Sequence, residues 1–369
     1  MGLGGGIKTS VQNYHFLWNL RALLSSTILV TFGAINQLPS MGRSLSFFVL
    51  LLFLQAGILS AQSKWDSSYV AEEPELLVLR TYLSHKYTAL YFPSEDLRYQ
   101  PNSGLNVGIG FTFQNLTLNL AFPPGFLNRS REPDFPRFFD LQGHIYPRNW
   151  VIDFFGQFYK GYRIPDGIGD GQPYLRPDLD LLKVGVHANY IFKGDKISLP
   201  AAVHQSAIQK KSALSPVVGF EMYRVQVAGD SLIFPSQLDP KQNYQQADFL
   251  QLGPNAGLIG TLVLGKGFFA TGSFTGNLAL GSTWNSGIAG GNWNLNWGTH
   301  ARAYLGYNGP RFGVNVNYVY KTLALQPLED WTQEVQTGNY RFILVYKIRP
   351  SEKFASSFAK YHPNRIFGK

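Results

Sequence analysis

Hydrophobic and polar residues alternate one by one along most of the chain after about residue 76. Between Leu105 and Phe113 the odd positions are apolar, and the even positions are Asn, Gly or Thr. The same alternation recurs in the segments 182–190 and 293–307. Because side chains alternate between the two faces of a β-strand, this pattern predicts an all-β protein.

Twelve segments of the chain show this alternation and are predicted strands. They lie near 76–92, 104–113, 115–122, 137–147, 149–162, 179–192, 213–227, 247–264, 267–282, 293–308, 310–323 and 337–348. With this count, the short turns fall at one end of the sheet and the longer connections at the other, which is typical of an up-and-down barrel. The segment 198–212 disturbs this order and is interpreted as a bulged extension, an inward segment or evidence for fourteen strands.

The two predicted faces differ in composition. One is apolar and carries aromatic residues near the strand ends, and the other holds uncharged polar residues, glycine and a few charges. Charged residues make up only 15% of the chain, against about 25% in ordinary domains, and a face toward lipid explains this deficit. We therefore predict a transmembrane antiparallel up-and-down β-barrel of about twelve strands, with fourteen as the alternative.

The start of the chain has the features of an export signal. Arg43 precedes an apolar run from Leu45 to Leu59, and Ala61 is a small residue at the predicted cleavage site. The run is shorter than the roughly 20 residues of a membrane-spanning helix. The predicted organisation is an upstream extension or long signal start at 1–40, a signal peptide at 41–61, the barrel at 62–348 and a basic tail at 349–369.

Cysteine content and charge remove several classes of function. The chain has no cysteine, which excludes disulfides, thiolate metal sites and a cysteine nucleophile. Its net charge is +9, yet no basic stripe suggests nucleic-acid binding. The basic tail is interpreted as a solvated end, or as a contact with anionic lipid or a partner. No cofactor is predicted.

Short motifs in a constant order resemble a Bacteroidetes family known only as domain of unknown function 4421. They are Leu83-Ser-His-Lys-Tyr87, Tyr99-Gln-Pro-Asn102, Gly108-Ile-Gly110, Phe139-Asp-Leu-Gln142, Tyr159-Lys-Gly161, Arg176-Pro-Asp-Leu179, Gln209-Lys-Lys-Ser-Ala213, Asp230-Ser-Leu-Ile233, Leu252-Gly-Pro254 and Gly306-Tyr-Asn308. The resemblance implies an exported barrel in the outer membrane. It implies no catalytic residues, because the family has no assigned activity.

Charged residues on the predicted lumen face are the candidate site residues. They are Asp140, His144, Asp153, Lys183, His187, Glu221, Arg302, Arg311, Lys321 and Arg341. One interpretation is that they pair with one another inside a closed barrel. Another is an acid–base constellation in which His144, His187 or His300 contacts a carboxylate and a nucleophile. Their excess of cations favours anionic solutes if the lumen conducts.

A glycine-rich loop between the fifth and sixth predicted strands is the one weak metal candidate. Asp166 and Asp170 could offer oxygen ligands to calcium there, since the glycines bend the chain. The loop lacks the bidentate glutamate of a complete calcium loop, and an ordinary glycine turn is the alternative. No other metal site is predicted.

Three functions are compatible with this sequence. The first is a passive channel or transporter for small solutes, and the second is a non-conducting structural or envelope-assembly barrel that binds a protein partner. The third is an outer-membrane hydrolase. A lumen too narrow for water would favour the non-conducting barrel. Absence of a histidine within hydrogen-bond reach of both a carboxylate and a nucleophile would remove the hydrolase. Membrane lipid is a predicted partner in every case.

Overall fold

The structure is a computed structural model, and it describes residues 65–114, 116–128, 137–146, 149–169, 171–235, 244–284, 293–325 and 332–361. The predicted signal peptide and the segment before it lie outside these residues, as does Asp170. The described elements are β1 (Val70–Glu72), β2 (Leu77–Phe92), β3 (Leu97–Pro101), β4 (Leu105–Phe113), β5 (Leu116–Phe122), β6 (Arg137–Ile145), β7 (Trp150–Ile164), β8 (Tyr174–Ile191), α1 (Leu199–Val203), β9 (Ala207–Gln209), β10 (Ala213–Ala228), β11 (Gln246–Gly265), β12 (Phe268–Trp284), β13 (Asn294–Asn308), β14 (Phe312–Ala324), β15 (Glu334–Ile348) and α2 (Glu352–Tyr361).

Ten of the described strands form a closed antiparallel barrel. Their order around the ring is β15, β14, β13, β12, β11, β10, β8, β7, β3 and β2, and pairing of β15 with β2 closes the ring. That closing ladder is long, running from Glu334 opposite Tyr91 to Ile348 opposite Leu77. The predicted all-β barrel is confirmed.

The number of strands in the ring differs from the predicted twelve. β3 was predicted as a loop but belongs to the ring, whereas β4, β5 and β6 lie beside it. The reason is that β3 and β4 share one edge of β2: β3 pairs with residues 90–92 and β4 with residues 78–85. On their other sides, β3 continues to β7 and β4 continues to β5, so the sheet divides between them.

The two ends of the barrel have different connections. At the end we call the short-turn end, β11 joins β12 and β13 joins β14 through turns of two or three residues. The first of these turns is left-handed at Gly265 (φ 87°), Lys266 (φ 51°) and Gly267 (φ 88°), a backbone that glycine adopts without steric cost. The opposite end, with the longer connections, is the long-loop end.

Among the residues that the structure describes, the wall has a gap between β5 and β6 in the half toward the short-turn end. Within the described residues, β5 pairs on one edge only, with β4, and β6 pairs on one edge only, with β7. Asn119 and Ala121, on the inward side of β5, are exposed. Unpaired strand edges leave backbone groups without partners, so this wall gap is the least complete part of the described barrel.

The outer face of the barrel is apolar. On β13 the outward side chains of Leu295 and Trp297 are 65% and 64% exposed. Outward aromatic pairs lie at the short-turn end, where the Phe268 and Tyr307 ring centroids are 5.1 Å apart and those of Phe312 and Tyr346 are 4.9 Å apart. A soluble monomer rarely exposes so large an apolar surface.

The interior is filled in three levels. An apolar core near the long-loop end combines inward side chains of eight ring strands, and a charged level, which we call the polar layer, lies at mid-height. At the short-turn end the lumen holds residues 198–209, which we call the plug. Its helix α1 is buried, and its strand β9 pairs with β1 in a separate two-stranded sheet. Of the three interpretations of 198–212, the structure therefore selects the inward segment.

The predicted basic tail begins with a short helix. The rings of Phe354 and Phe358 on α2 lie 5.8 and 5.0 Å from the ring of Phe113, at the end of β4. This contact attaches α2 to the barrel, so its first turns are not simply a solvated end. None of the helices in the described residues is long and apolar enough to cross a bilayer.

Candidate functional site

The polar layer is built by alternation along seven strands. β2, β6, β7, β8, β10, β13 and β14 each turn every second side chain inward, so their charged residues meet at one height of the lumen. The residues concerned are Lys86, Asp140, His144, Asp153, Lys183, His187, Glu221, His300, Arg302 and Lys321.

Asp153 on β7 is the centre of one half of the polar layer. Its carboxylate is fully buried, and its two oxygens lie 2.6 Å from His144 Nδ1 and 3.3 Å from His187 Nδ1. The Arg302 guanidinium donates to the same carboxylate, and Arg302 Nε also donates to His300 Nε2 at 3.3 Å. A buried carboxylate needs such donors, because its transfer from water is costly.

Glu221 on β10 is the centre of the other half. Lys321 Nζ lies 2.7 Å from one of its oxygens, and the Asn277 amide donates to the other. His187 Nε2 lies 3.6 Å from the same carboxylate. His187 therefore stands between the two acids and joins the two halves of the layer.

Two lysines complete the layer. Lys183 Nζ donates to Thr337 Oγ1 at 2.6 Å and lies 5.5 Å from the ring centroids of both Phe155 and Tyr223. Lys86 Nζ lies 3.1 Å from Asp140, whose carboxylate also accepts hydrogen bonds from neighbouring side chains of β7. Aromatic faces attract a cation, so the rings of Phe155 and Tyr223 partly replace the water that would otherwise solvate Lys183.

Several of these contacts cross the lumen from wall to wall. β13 and β7 are five places apart in the ring of ten, so the hydrogen bond from Arg302 to Asp153 joins strands on opposite sides. Lys321 and Glu221 join strands four places apart, as do Lys183 and Thr337. Direct bonds between opposite walls occupy the space that a water column would need.

The long-loop end is closed by apolar packing. Tyr99, Tyr162 and Phe249 are among the largest fully buried side chains of the described residues. Their polar atoms are satisfied inside the core: Tyr99 Oη donates to the Ile233 carbonyl at 2.8 Å, and Tyr162 Oη donates to the Thr88 carbonyl at 3.0 Å. Interiors packed in this way leave few voids as large as a water molecule.

The short-turn end is closed by the plug, which packs apolar side chains such as Leu199 and Val203 against the wall and forms hydrogen bonds with it through backbone carbonyls. Gln205 Nε2 donates to the carbonyls of Tyr307 and Val314 at 3.1 and 3.2 Å. Asn308 donates to the Ala207 carbonyl at 2.8 Å. A Cβ at Gly313 would lie 1.9 Å from Gln205 Oε1, so glycine at this position makes room for the plug.

The structure brings most of the predicted site residues together but separates three of them. Arg311 was predicted on the lumen face, but it is exposed in the turn between β13 and β14, because the alternation begins only one residue later. Arg341 faces the lumen nearer the short-turn end, away from the acids. Asp166 is exposed at the tip of the loop between β7 and β8, and nothing in the structure tests its calcium role.

Sequence reasoning missed several members of the site. Lys86 and Arg80 occupy inward positions of β2, and the same alternation along 76–92 could have identified both. Thr337 and Asn277 carried no signal, because an uncharged polar residue on a lumen face is expected everywhere. Their roles depend on which charged group stands opposite them in the ring.

The geometry of the histidines differs from that of a hydrolase. In the part of the chain that the structure describes, His144, His187 and His300 contact carboxylates, an arginine or one another, and no hydroxyl hydrogen-bonds to their rings. Asp153, His187 and His300 also place one possible ligand atom each within 4.8 Å of the others. The oxygens of Asp153 already accept from Arg302 and His144, so this group is arranged as an ion-pair network.

Comparisons with known proteins place the chain in a family and add no activity. The family model described as domain of unknown function (DUF4421) matches residues 64–348. No curated protein matches the sequence.

Solved structures of several barrels show weak likeness. The outer membrane protease OmpT from Escherichia coli has 10% identity and a TM-score of 0.32, covering 75% of this chain and 98% of that one. The translocator domain of the autotransporter NalP from Neisseria meningitidis has 8% identity and a TM-score of 0.31, covering 73% and 88%. The Pseudomonas putida toluene transporter TodX has 8% identity and a TM-score of 0.22, covering 79% and 92%. At these values no fold or activity is transferred to the chain.

Proposed function

The chain belongs to the DUF4421 family, and we propose that it is an outer-membrane β-barrel with a permanently filled, non-conducting lumen, which serves as a structural or envelope-assembly component. The observation that carries this proposal is the hydrogen bond from Arg302 to Asp153, which joins opposite walls at mid-height. A passive channel, the first function that the sequence suggested, needs an aqueous path at this level. The geometry therefore favours the second function.

The outer surface supports the membrane location. Exposed apolar side chains on alternate positions of β11 to β15 form a continuous belt around one side of the ring; they include Leu258, Leu262, Phe274, Leu278, Leu295, Trp297, Leu305, Val316 and Phe342. Contact of such side chains with water is unfavourable by roughly 25 cal/mol per Å². Lipid removes this cost, and a closed ring satisfies the backbone groups of its strands within the bilayer.

Conductance measurements test the closed lumen. The folded barrel is purified from membranes and inserted in a planar bilayer, with an open porin as the assay control. We expect no steps of current from this barrel, and none from the double variant Asp153→Ala/Arg302→Ala, because the apolar core and the plug remain. Heat-modifiable gel mobility checks that both proteins are folded. Stable current steps from the unmodified barrel would refute the proposal and favour the channel function instead.

A filled lumen leaves the two ends as the surfaces available for assembly. Photo-crosslinking groups at Asp166 and at Lys266, which are exposed at the long-loop and short-turn ends respectively, test this role in cells. We expect a discrete protein adduct from one of the two positions. Absence of adducts from both positions would argue against a protein partner at either site.

A further inference from the structure

Two arginines face the lumen between the polar layer and the plug, and neither has an acidic partner among the residues that the structure describes. Arg80 on β2 is only 4% exposed. Its guanidinium donates to Thr112 Oγ1 at 2.8 Å, to Asn119 Oδ1 at 3.3 Å and to the His204 carbonyl at 3.4 Å. All three acceptors are uncharged, so the charge of Arg80 is not neutralised.

Arg341 on β15 is even less engaged. Its Cζ lies 4.9 Å from the ring centroid of Tyr82, while its Nε is buried without a hydrogen-bond partner. Arg341 stands opposite Ser84 in the ladder with β2, on the inward face that Arg80 also occupies. Its contact with Tyr82, two residues from Arg80 in sequence, brings it toward Arg80. Among the described residues, neither arginine forms an ion pair with a carboxylate.

The other described groups around these arginines do not supply negative charge. Burial and the nearby charges of Arg80, His144 and Arg341 hold the pKa of His204 well below its usual range. Asp153, the carboxylate on the adjoining His144, is already engaged by Arg302. A buried cation without a counter-charge is strongly unfavourable, so the described part of this region leaves room for an anion to stabilise it.

The wall gap between β5 and β6 offers an entrance to this region. Asn119, which accepts a hydrogen bond from Arg80, is itself exposed on β5. On the outward face of β5, Leu118, Leu120 and Phe122 are 40%, 70% and 59% exposed. A polar interior and an apolar exterior therefore meet at the same edge of the wall, as the two parts of an amphiphile would require.

We propose that Arg80 and Arg341 bind a phosphate group that enters through the wall gap, in the form of a lipid headgroup whose chains lie against the outward face of β5. Guanidinium groups suit phosphate because their donors match its oxygens in pairs. This site goes beyond the proposed function and does not depend on it, since a conducting barrel could hold the same anion.

Calorimetric titration of the folded barrel in detergent tests the site. The probes are short-chain phosphatidylglycerol, inorganic phosphate and the matching short-chain diacylglycerol, which has the chains without the phosphate. We expect saturable binding of phosphatidylglycerol and none of diacylglycerol. Loss of one charged hydrogen-bonding group weakens binding by about 10-fold or more, so Arg341→Gln should show this loss and the exposed control Arg311→Gln should not.

The outcomes of this titration distinguish a lipid headgroup from free phosphate, or they contradict the proposal. Binding of phosphatidylglycerol alone supports the lipid headgroup, and equal binding of inorganic phosphate supports an anion site that does not need the chains. Three results would overturn the proposal. They are equal binding of diacylglycerol, no binding of either phosphate probe, and unchanged phosphatidylglycerol affinity in Arg341→Gln.

A stability measurement distinguishes a binding role for Arg341 from a structural one. Arg341→Gln removes an uncompensated charge and no hydrogen bond, so the unliganded variant should unfold at the same or a higher temperature than the unmodified barrel. Arg341→Lys keeps the charge without the paired donors and should bind phosphatidylglycerol with intermediate affinity. A clear loss of unliganded stability in Arg341→Gln would assign the arginine to the fold and contradict the proposal.

Discussion

The two ends of this barrel are closed in different ways. At the long-loop end, wall strands contribute large inward side chains such as Tyr162 and Phe249 to one apolar core. At the short-turn end, a separate segment enters the lumen, where it packs Leu199 against the wall and is attached through side-chain amides such as that of Gln205. The first closure is part of the wall, so it cannot open unless the strands move, whereas the second could leave without breaking any strand pair of the ring.

The strongest test of this difference compares one apolar truncation at each end. Phe249, which is 1% exposed, belongs to the core, and its replacement by alanine should lower the free energy of unfolding by about 4 kcal/mol. Leu199 in the plug is 3% exposed and packs in one cluster with Val151, Val217 and Ile259 of the wall. Because the plug can leave without breaking a strand pair of the ring, Leu199→Ala should lower the free energy of barrel unfolding by much less than Phe249→Ala. Urea titration followed by heat-modifiable mobility measures both. Equal losses would mean that plug and core unfold as one unit.

The polar layer between the two ends provides the next test. Asp153→Asn leaves Arg302 buried without its acid, which should cost about 3 kcal/mol. The double variant Asp153→Asn/Arg302→Gln removes both charges and should recover part of this loss in the same urea titration. If the double variant loses as much unfolding free energy as the two single variants together, the ion pair does not stabilise the barrel.

A smaller effect is expected when the plug is loosened. Gln205→Ala removes two hydrogen bonds to wall carbonyls, each contributing about 1 kcal/mol. Together they amount to about 2 kcal/mol, so tryptic cleavage after the exposed Lys210 should become roughly 30-fold faster, while the urea midpoint of the barrel stays the same. Gln226→Ala on β10, toward the long-loop end, is the control. A shift of the barrel midpoint by Gln205→Ala would show that the plug supports the wall.

The smallest expected effect concerns pH. Because burial and nearby cations lower the pKa of His204 in the folded protein, only the unfolded plug takes up a proton below about pH 6.5. The contribution of His204 is therefore complete above that pH and falls as the pH decreases, by about 1 kcal/mol near pH 5.5.

His204→Gln should remove this dependence. The ratio of its tryptic cleavage rate to that of the unmodified barrel should decrease from about pH 7.5 to 5.5. A ratio that stays constant over this range would contradict the assignment. The ratio is used because the protease itself responds to pH equally in both samples.

Most of the wall could be predicted from sequence, and its closure could not. The twelve alternating segments correspond to β2, β4 to β8 and β10 to β15, because alternation is a local property of each strand. β3 is only five residues long, and although Leu97 and Tyr99 alternate with polar residues, so short a run is not distinguishable from a loop. Its place in the ring depends on β2 and β7, which stand on either side of it.

The candidate sites divide in the same way. Alternation was sufficient to place Asp153, Glu221 and Arg302 on one face, because the side on which each side chain lies is a local property of its strand. Which of them meet depends on the order of strands around the ring, and this order brings β13 opposite β7. The plug, and the absence of an acid beside Arg341 in the described part of the chain, are likewise not predictable from local sequence.

By itself, then, the sequence determined the strands, the inward and outward faces and the family resemblance. These are properties of short segments, in which the period of two and the polarity of each residue act locally. The tertiary structure decided that the lumen is filled, that 198–209 enters it and that two arginines have no acid beside them among the described residues. Those features arise from contacts between strands on opposite sides of a closed ring, and no local pattern encodes such contacts.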